Sequence, residues 1–147
     1  MLKSDKGFTI IELLLLFFIM VLFAKLGLSA HQSMSRIRLS MTATQIQTLT
    51  RAAQNRAYGE QNTHIVAFYS AHQEFNHIQN TKVINKVTMP RGITMKQTNF
   101  PDNKLYFTGK LGPSRGGTIE LNSKSHTIEI TVLTVTGRVN IYPLTRR

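Results

Sequence analysis

Cysteine and tryptophan are absent from this chain, and acids are scarce: 7 Asp and Glu against 18 Lys and Arg in 147 residues. Without cysteine there is no disulfide scaffold, no thiolate zinc or iron–sulfur site and no Cys nucleophile. Only two Asp and five Glu occur, which leaves little material for a paired-carboxylate hydrolase. Gly-x-Ser-x-Gly, P-loop and dinucleotide fingerprints are missing as well. Proline is rare, four in all, and the first is Pro90, so nothing interrupts helix formation by that route in the first 89 positions. What remains is a basic chain of net charge +11, suited to anionic partners: nucleic acid, an acidic membrane surface or an anionic cell-wall polymer. Its length suits one domain.

The apolar residues are unevenly spread. Phe8 to Leu28 contains only Thr9, Glu12 and Lys25 as polar positions, and Leu13 to Ala24 is unbroken. Twenty-one helical residues at ~1.5 Å each match a bilayer core of ~30 Å. The short flank before it carries Lys3 and Lys6 against Asp5, which predicts a cytoplasmic N-terminus and an exported bulk. Three readings compete: a cleaved secretory signal with Leu28-Ser29-Ala30 as its small-residue end, a plain anchor, and a processed anchor. Glu12 weighs against the first two, because an unpaired acid in hydrocarbon costs a few kcal/mol and asks for a partner.

Lys6-Gly7-Phe8-Thr9-Ile10-Ile11-Glu12 before a long apolar run resembles the class III signal of type IV pilins and pseudopilins. The resemblance implies cleavage by a prepilin peptidase between Gly7 and Phe8, N-methylation of Phe8, and an assembly role for Glu12. Cleavage there precedes the apolar segment, so the mature chain keeps its anchor. The freed α-amine, with a reference pKa of ~7.7–8, is mostly cationic at neutral pH. In a low-dielectric filament core Glu12 and that amine, its own or a neighbour's, would neutralise each other and set the axial step. Two features depart from major pilins. No Pro kinks the apolar helix, where Gly27 is the sole break candidate, and Lys25 sits near the outer end, where it can snorkel. Both suit a minor or initiating subunit.

From Ser29 to Tyr58, Leu39, Ala43, Ile46, Leu49 or Thr50, Ala53 and Ala57 recur at spacings of three and four, one face of an amphipathic helix. With the anchor this predicts a helix of about 50 residues that stops at Gly59. Arg36, Arg38, Arg51 and Arg56 decorate its polar side, as a solvated face or a contact surface. Beyond Gly59 the period shifts toward two. Strand candidates are His64–Tyr69, Lys82–Thr88, Ile93–Gln97, Lys104–Thr108, Thr118–Leu121, Thr127–Thr134 and Arg138–Tyr142, separated by turn chemistry at residues 90–92, 101–103, 112–113, 116–117 and 136–137. Thr136-Gly137 marks a hairpin between the last two.

The expected fold is α+β and pilin-like: a long N-terminal transmembrane and amphipathic α-helix packed on an antiparallel β-sheet. Its parts are a leader 1–7, a transmembrane or filament-core helix 8–28, an amphipathic helix 29–58 and a β-sheet head 59–147. Leu105-Tyr106-Phe107-Thr108-Gly109, Gly116-Gly117-Thr118-Ile119-Glu120-Leu121 and Val135-Thr136-Gly137-Arg138-Val139 follow the pattern of the GspH/FimT-like branch. The layout is most similar to the minor pilins of Gram-positive competence pili, of the ComGD type. That resemblance covers nearly the whole chain in layout and about twenty positions in motif. It implies pilus assembly and uptake of extracellular DNA in transformation, with other pilins, the prepilin peptidase, the membrane and extracellular DNA as partners. A type II secretion pseudopilin without DNA binding is the alternative.

From His31 onward there are 15 Lys and Arg against 5 Asp and Glu, so a net +10 lies outside the anchor. The DNA-contact candidates are Arg138, the tail Arg146-Arg147, Lys110, Arg115 and Lys124. Contacts of this kind bind without sequence preference and weaken with salt. Tyr106 and Tyr142 are stacking or core residues. His72 to His77 holds two His and a Glu near His64, but the spacing is not His-Glu-x-x-His. No cofactor or metal is expected, and the chain reads as the substrate of an enzyme rather than an enzyme.

Overall fold

A computed structural model describes residues 9–109, 113–124, 126–142 and 145–146, with only the backbone for 26–33, 97 and 145–146. One helix, α1, runs from Ile10 to Glu60 and passes through Gly27 without a break. The chain divides into two compact units, Met1–Met34 and Ser35–Arg147.

In the first unit every described side chain from Thr9 to Lys25 is exposed. Large apolar groups dominate that surface, among them Leu13, Phe17, Phe18 and Phe23, each at least 64% exposed. Among the described residues no helix is long and apolar enough to cross a membrane. The expected span of 8–28 extends past them: described side chains reach only from Thr9 to Lys25, with Glu12 and Lys25 near the two ends.

In the second unit the helix buries one face. Leu39, Ala43, Ile46, Ala53 and Ala57 have no exposed surface, and Leu49 and Thr50 are at 2% and 1%. Spacings of three and four place all of them on one side, and the alanines bring the helix axis close to the sheets. Thr50 is accommodated there because its hydroxyl donates to the carbonyl of Ile46 at 2.8 Å. The expected stop at Gly59 falls two residues later. Gln61 takes the left-handed conformation, φ 52, and its side-chain amide donates to the carbonyl of Tyr58.

The strands form two antiparallel sheets rather than the single expected one. Strands β1 (His64–Tyr69), β2 (Glu74–Gln79), β3 (Lys82–Thr88) and β5 (Lys104–Phe107) make a sheet in the order β3-β2-β1-β5. Strands β4 (Thr94–Thr98), β6 (Gly117–Asn122), β7 (His126–Val132) and β8 (Val139–Ile141) make the second in that order, with β9 (Thr145–Arg146) also on β7. All seven expected strands are present within a residue or two; β2 and β9 are additional. One buried cluster draws on α1 and both sheets: Val66, Phe68, Phe75, Leu105 and Phe107 from the first, Met95, Ile119, Leu121, Ile128, Ile130, Val132 and Val139 from the second. Phe68 meets Phe75 edge-on at 5.1 Å and stacks on Phe100 at 5.3 Å. Truncating a ring such as Phe75 to Ala would cost about 3–5 kcal/mol.

Candidate assembly and DNA-contact surfaces

Helix α1 opens with a capping box. Thr9 precedes the first helical residue, and its backbone N–H and hydroxyl donate to Glu12 Oε2 at 2.9 and 3.0 Å. The Glu12 N–H returns a bond to the Thr9 hydroxyl at 3.4 Å and to its carbonyl at 3.1 Å. Glu12 thus occupies the third helical position, where a carboxylate satisfies the cap residue's own N–H and faces the positive end of the helix dipole. The spacing Thr9-x-x-Glu12 is the sequence signal for this cap. Gly7 and Phe8 lie outside the described residues.

The basic candidates do not form one patch. Arg138 follows the turn between β7 and β8, and Arg115 lies in the loop before β6; both are exposed. The pairing of Gly117 with Val132, and a 3.0 Å bond from Gly116 N to the Thr134 hydroxyl, put them at the same end of the second sheet. Lys124, also exposed, lies in the β6–β7 turn at the opposite end, five residue steps or about 17 Å along the strand. The backbone of Arg146 pairs with His126 at that far end. Lys110 and Arg147 lie outside the described residues.

Two glutamines of α1 hold the Arg138 turn. Gln54 Nε2 donates to the Thr136 carbonyl at 2.9 Å and Gln47 Nε2 to the Val139 carbonyl at 2.7 Å. Gly137 has φ +65, and a Cβ there would stand 2.5 Å from Gln54 Nε2 and 3.1 Å from Pro113 Cδ. Glycine is required at this point both for the backbone angle and for the close approach. Residues 47, 51 and 54 share one helical face, so the exposed Arg51 stands between the two anchoring glutamines beside the turn. Arg51, Arg115 and Arg138 therefore bracket one end of the head. In the sequence Arg51 is one of four arginines on the polar face; the seven-residue spacing of Gln47 and Gln54 is the signal for its place beside the turn.

Tyr142 is 47% exposed, and its N–H bonds the Glu129 carbonyl. Glu129 pairs across strands with Glu120, whose carboxylate lies 3.6 Å from Lys96 Nζ, so that face carries charges of both signs. Tyr106 is half-buried. His72 is exposed in the β1–β2 loop, His77 is buried, and Glu74 is 2.6 Å from Lys86 Nζ, so the His72–His77 window does not converge. Among the described residues no group of three or more His, Asp or Glu is placed to hold a metal ion.

A long helix laid on antiparallel sheets, with an acid capping its apolar start, defines the class: the fold is pilin-like. The chain is similar to the type IV minor pilin FimU of Pseudomonas aeruginosa strain PAO1, with TM-score 0.60 and 15% identity over 74% of this chain and 90% of that one. It is equally similar to the minor pseudopilin EpsH of the Type 2 Secretion System of Vibrio cholerae, with TM-score 0.60 and 12% identity over 71% of this chain and 96% of that one. No family model and no curated protein matches the sequence. At such identities the shared property is the fold.

Proposed function

We propose that the chain is a minor pilin of a type IV competence pilus, a structural subunit rather than an enzyme, acting in pilus assembly and uptake of extracellular DNA. The observation that carries the assembly role is the exposed apolar start of α1 with Glu12 at its third position, on a chain of pilin-like fold. In this reading residues 1–7 are a leader and the prepilin peptidase cuts between Gly7 and Phe8. Phe8 is methylated, 8–28 is the membrane and filament-core segment, and 29–58 is the amphipathic half of the helix that supports the head, 59–147. Before assembly the single-pass chain sits in the cell membrane with its N-terminus cytoplasmic. Glu12 then exchanges its Thr9 bonds for the amine of an incoming or neighbouring Phe8.

DNA contact in this reading lies at the Arg51, Arg115 and Arg138 end, and Lys110 stays a candidate from the sequence alone. Lys124 is a separate candidate at the opposite end of the second sheet, and Arg146 and Arg147 stay candidates from the sequence alone. The similarity to EpsH favours a second reading, a type II secretion pseudopilin with a structural role and no DNA binding. Deletion of the gene followed by transformation and secretion assays separates the two. Loss of transformation with normal secretion supports the competence pilus; the reverse supports the pseudopilus.

A further inference from the structure

At the end of α1 three titratable side chains run in file from solvent into the core. Glu60, the last residue of the helix, has a side chain 45% exposed, and its Oε2 lies 3.3 Å from Nε2 of His64, the first residue of β1. His64 is fully buried, and its Nδ1 lies 2.8 Å from Nε2 of His77 on β2, itself 1% exposed. Gln79, paired across strands with His64, donates its side-chain amide to the same Glu60 oxygen at 2.5 Å. The file therefore joins α1, β1 and β2 at one point.

The bridge between the two imidazoles has room for one proton. With one hydrogen between them, one ring donates and the other accepts. A second would set two N–H donors against each other across the 2.8 Å gap in the core. The other groups facing the pair do not offset this. Arg56 of α1 opposes the charge and Glu60 favours it, while the cross-strand neighbours are Phe107 of β5 for His64 and Asn85 of β3 for His77, both uncharged. Burial first, then His64, then Arg56 lower the pKa of His77 to about 4. The β2–β3 pairing slips between His77 and Ile78, with Ile84 of β3 as the extra residue, so the ladder is interrupted beside His77.

We propose that Glu60, His64 and His77 form a proton-operated latch between the end of α1 and the β1–β2 pair, closed while His77 is neutral and opened when the second proton enters the imidazole bridge. Acidification then frees residues 64–79 from the helix end before the rest of the head unfolds. The latch does not depend on the pilin assignment.

Hydrogen–deuterium exchange of the full chain in detergent micelles at pH 7 and pH 5, corrected for intrinsic exchange rates, tests this. Amides of residues 64–79 are expected to lose about 30-fold in protection at pH 5 and to exchange faster than those of β6 and β7. His77→Gln, whose amide can donate to His64 Nδ1 without titrating, is expected to lose little. Equal exchange of 64–79 and β6–β7 at pH 5, no change in the wild type, or the same loss in His77→Gln overturns the proposal. If that variant does not fold, the wild-type imidazole NMR titration of His77 decides: loss of protection in 64–79 that accompanies protonation of His77 supports the latch, and protection that stays unchanged through that titration overturns it.

Discussion

Thr9 and Glu12 hold each other at the start of α1, the Thr9 N–H and hydroxyl reaching the Glu12 carboxylate while the Glu12 N–H returns to the Thr9 hydroxyl. The acid of the pilin-like signal is thus also the third residue of a capping box. The cap and the proposed assembly role meet in one side chain, and a change to Ala removes both.

Glu12→Gln separates them. Glutamine serves the capping box but carries no charge. If charge pairing with Phe8 sets the filament step, Glu12→Gln and Glu12→Ala fail equally to enter pili. Thr9→Ala, which costs about 1 kcal/mol at the helix start, still assembles. Counting the subunit in sheared pili by immunoblot checks this; incorporation of Glu12→Gln at wild-type level counts against charge pairing.

The Arg138 turn is held by Gln54, so its presentation is sensitive to single changes. Gly137→Ala puts a Cβ at φ +65 into the Gln54 side chain and is expected to destabilise the head by roughly 1–3 kcal/mol. Gln54→Ala leaves the Thr136 carbonyl to water and costs about 1 kcal/mol. Thermal unfolding of the full chain in detergent ranks the two.

If DNA binds at the Arg51, Arg115 and Arg138 end, each of these changed to Ala weakens duplex affinity and reduces the salt slope by about 0.9. Lys124→Ala, about 17 Å away along the strand, leaves both unchanged. Affinity measured between 50 and 200 mM salt, roughly the range over which phosphate contacts weaken most visibly, distinguishes the two ends.

Much of this architecture was legible because it repeats. The face from Leu39 to Ala57 is read directly from spacings of three and four, and all its positions are buried. Strand β2 was not legible: Glu74 to Gln79 is mostly polar, and one of its inward positions is His77, which is tolerated in the core only because His64 meets it. The turn after it, Asn80-Thr81, has two positive φ angles without glycine, so it carried no turn signal. Division into two sheets depends on pairings such as β1 with β5, far apart in sequence, which local patterns do not encode. At the site, Gly137 and Arg138 were visible as motif residues. The neighbours Gln47, Arg51 and Gln54 were not, since exposed polar positions on a helix look alike until a hairpin docks on them.

The buried His77 sets a pH dependence with a definite sign. Its pKa is lowered to about 4 in the folded chain, below its unfolded value of 6.5, so the unfolded state binds more protons between these limits. Stability is complete above about pH 6.5 and falls by roughly 3 kcal/mol on approach to pH 4. Chemical denaturation of the full chain in detergent at pH 7 and pH 4.5 measures it, and His77→Gln removes most of the difference.

The central claim, that this chain is a processed pilin-type subunit, is tested most directly by mass spectrometry of the mature protein recovered from cell membranes. The account predicts a chain that begins at Phe8 with an N-methylated amine. A chain that still begins at Met1 would contradict it.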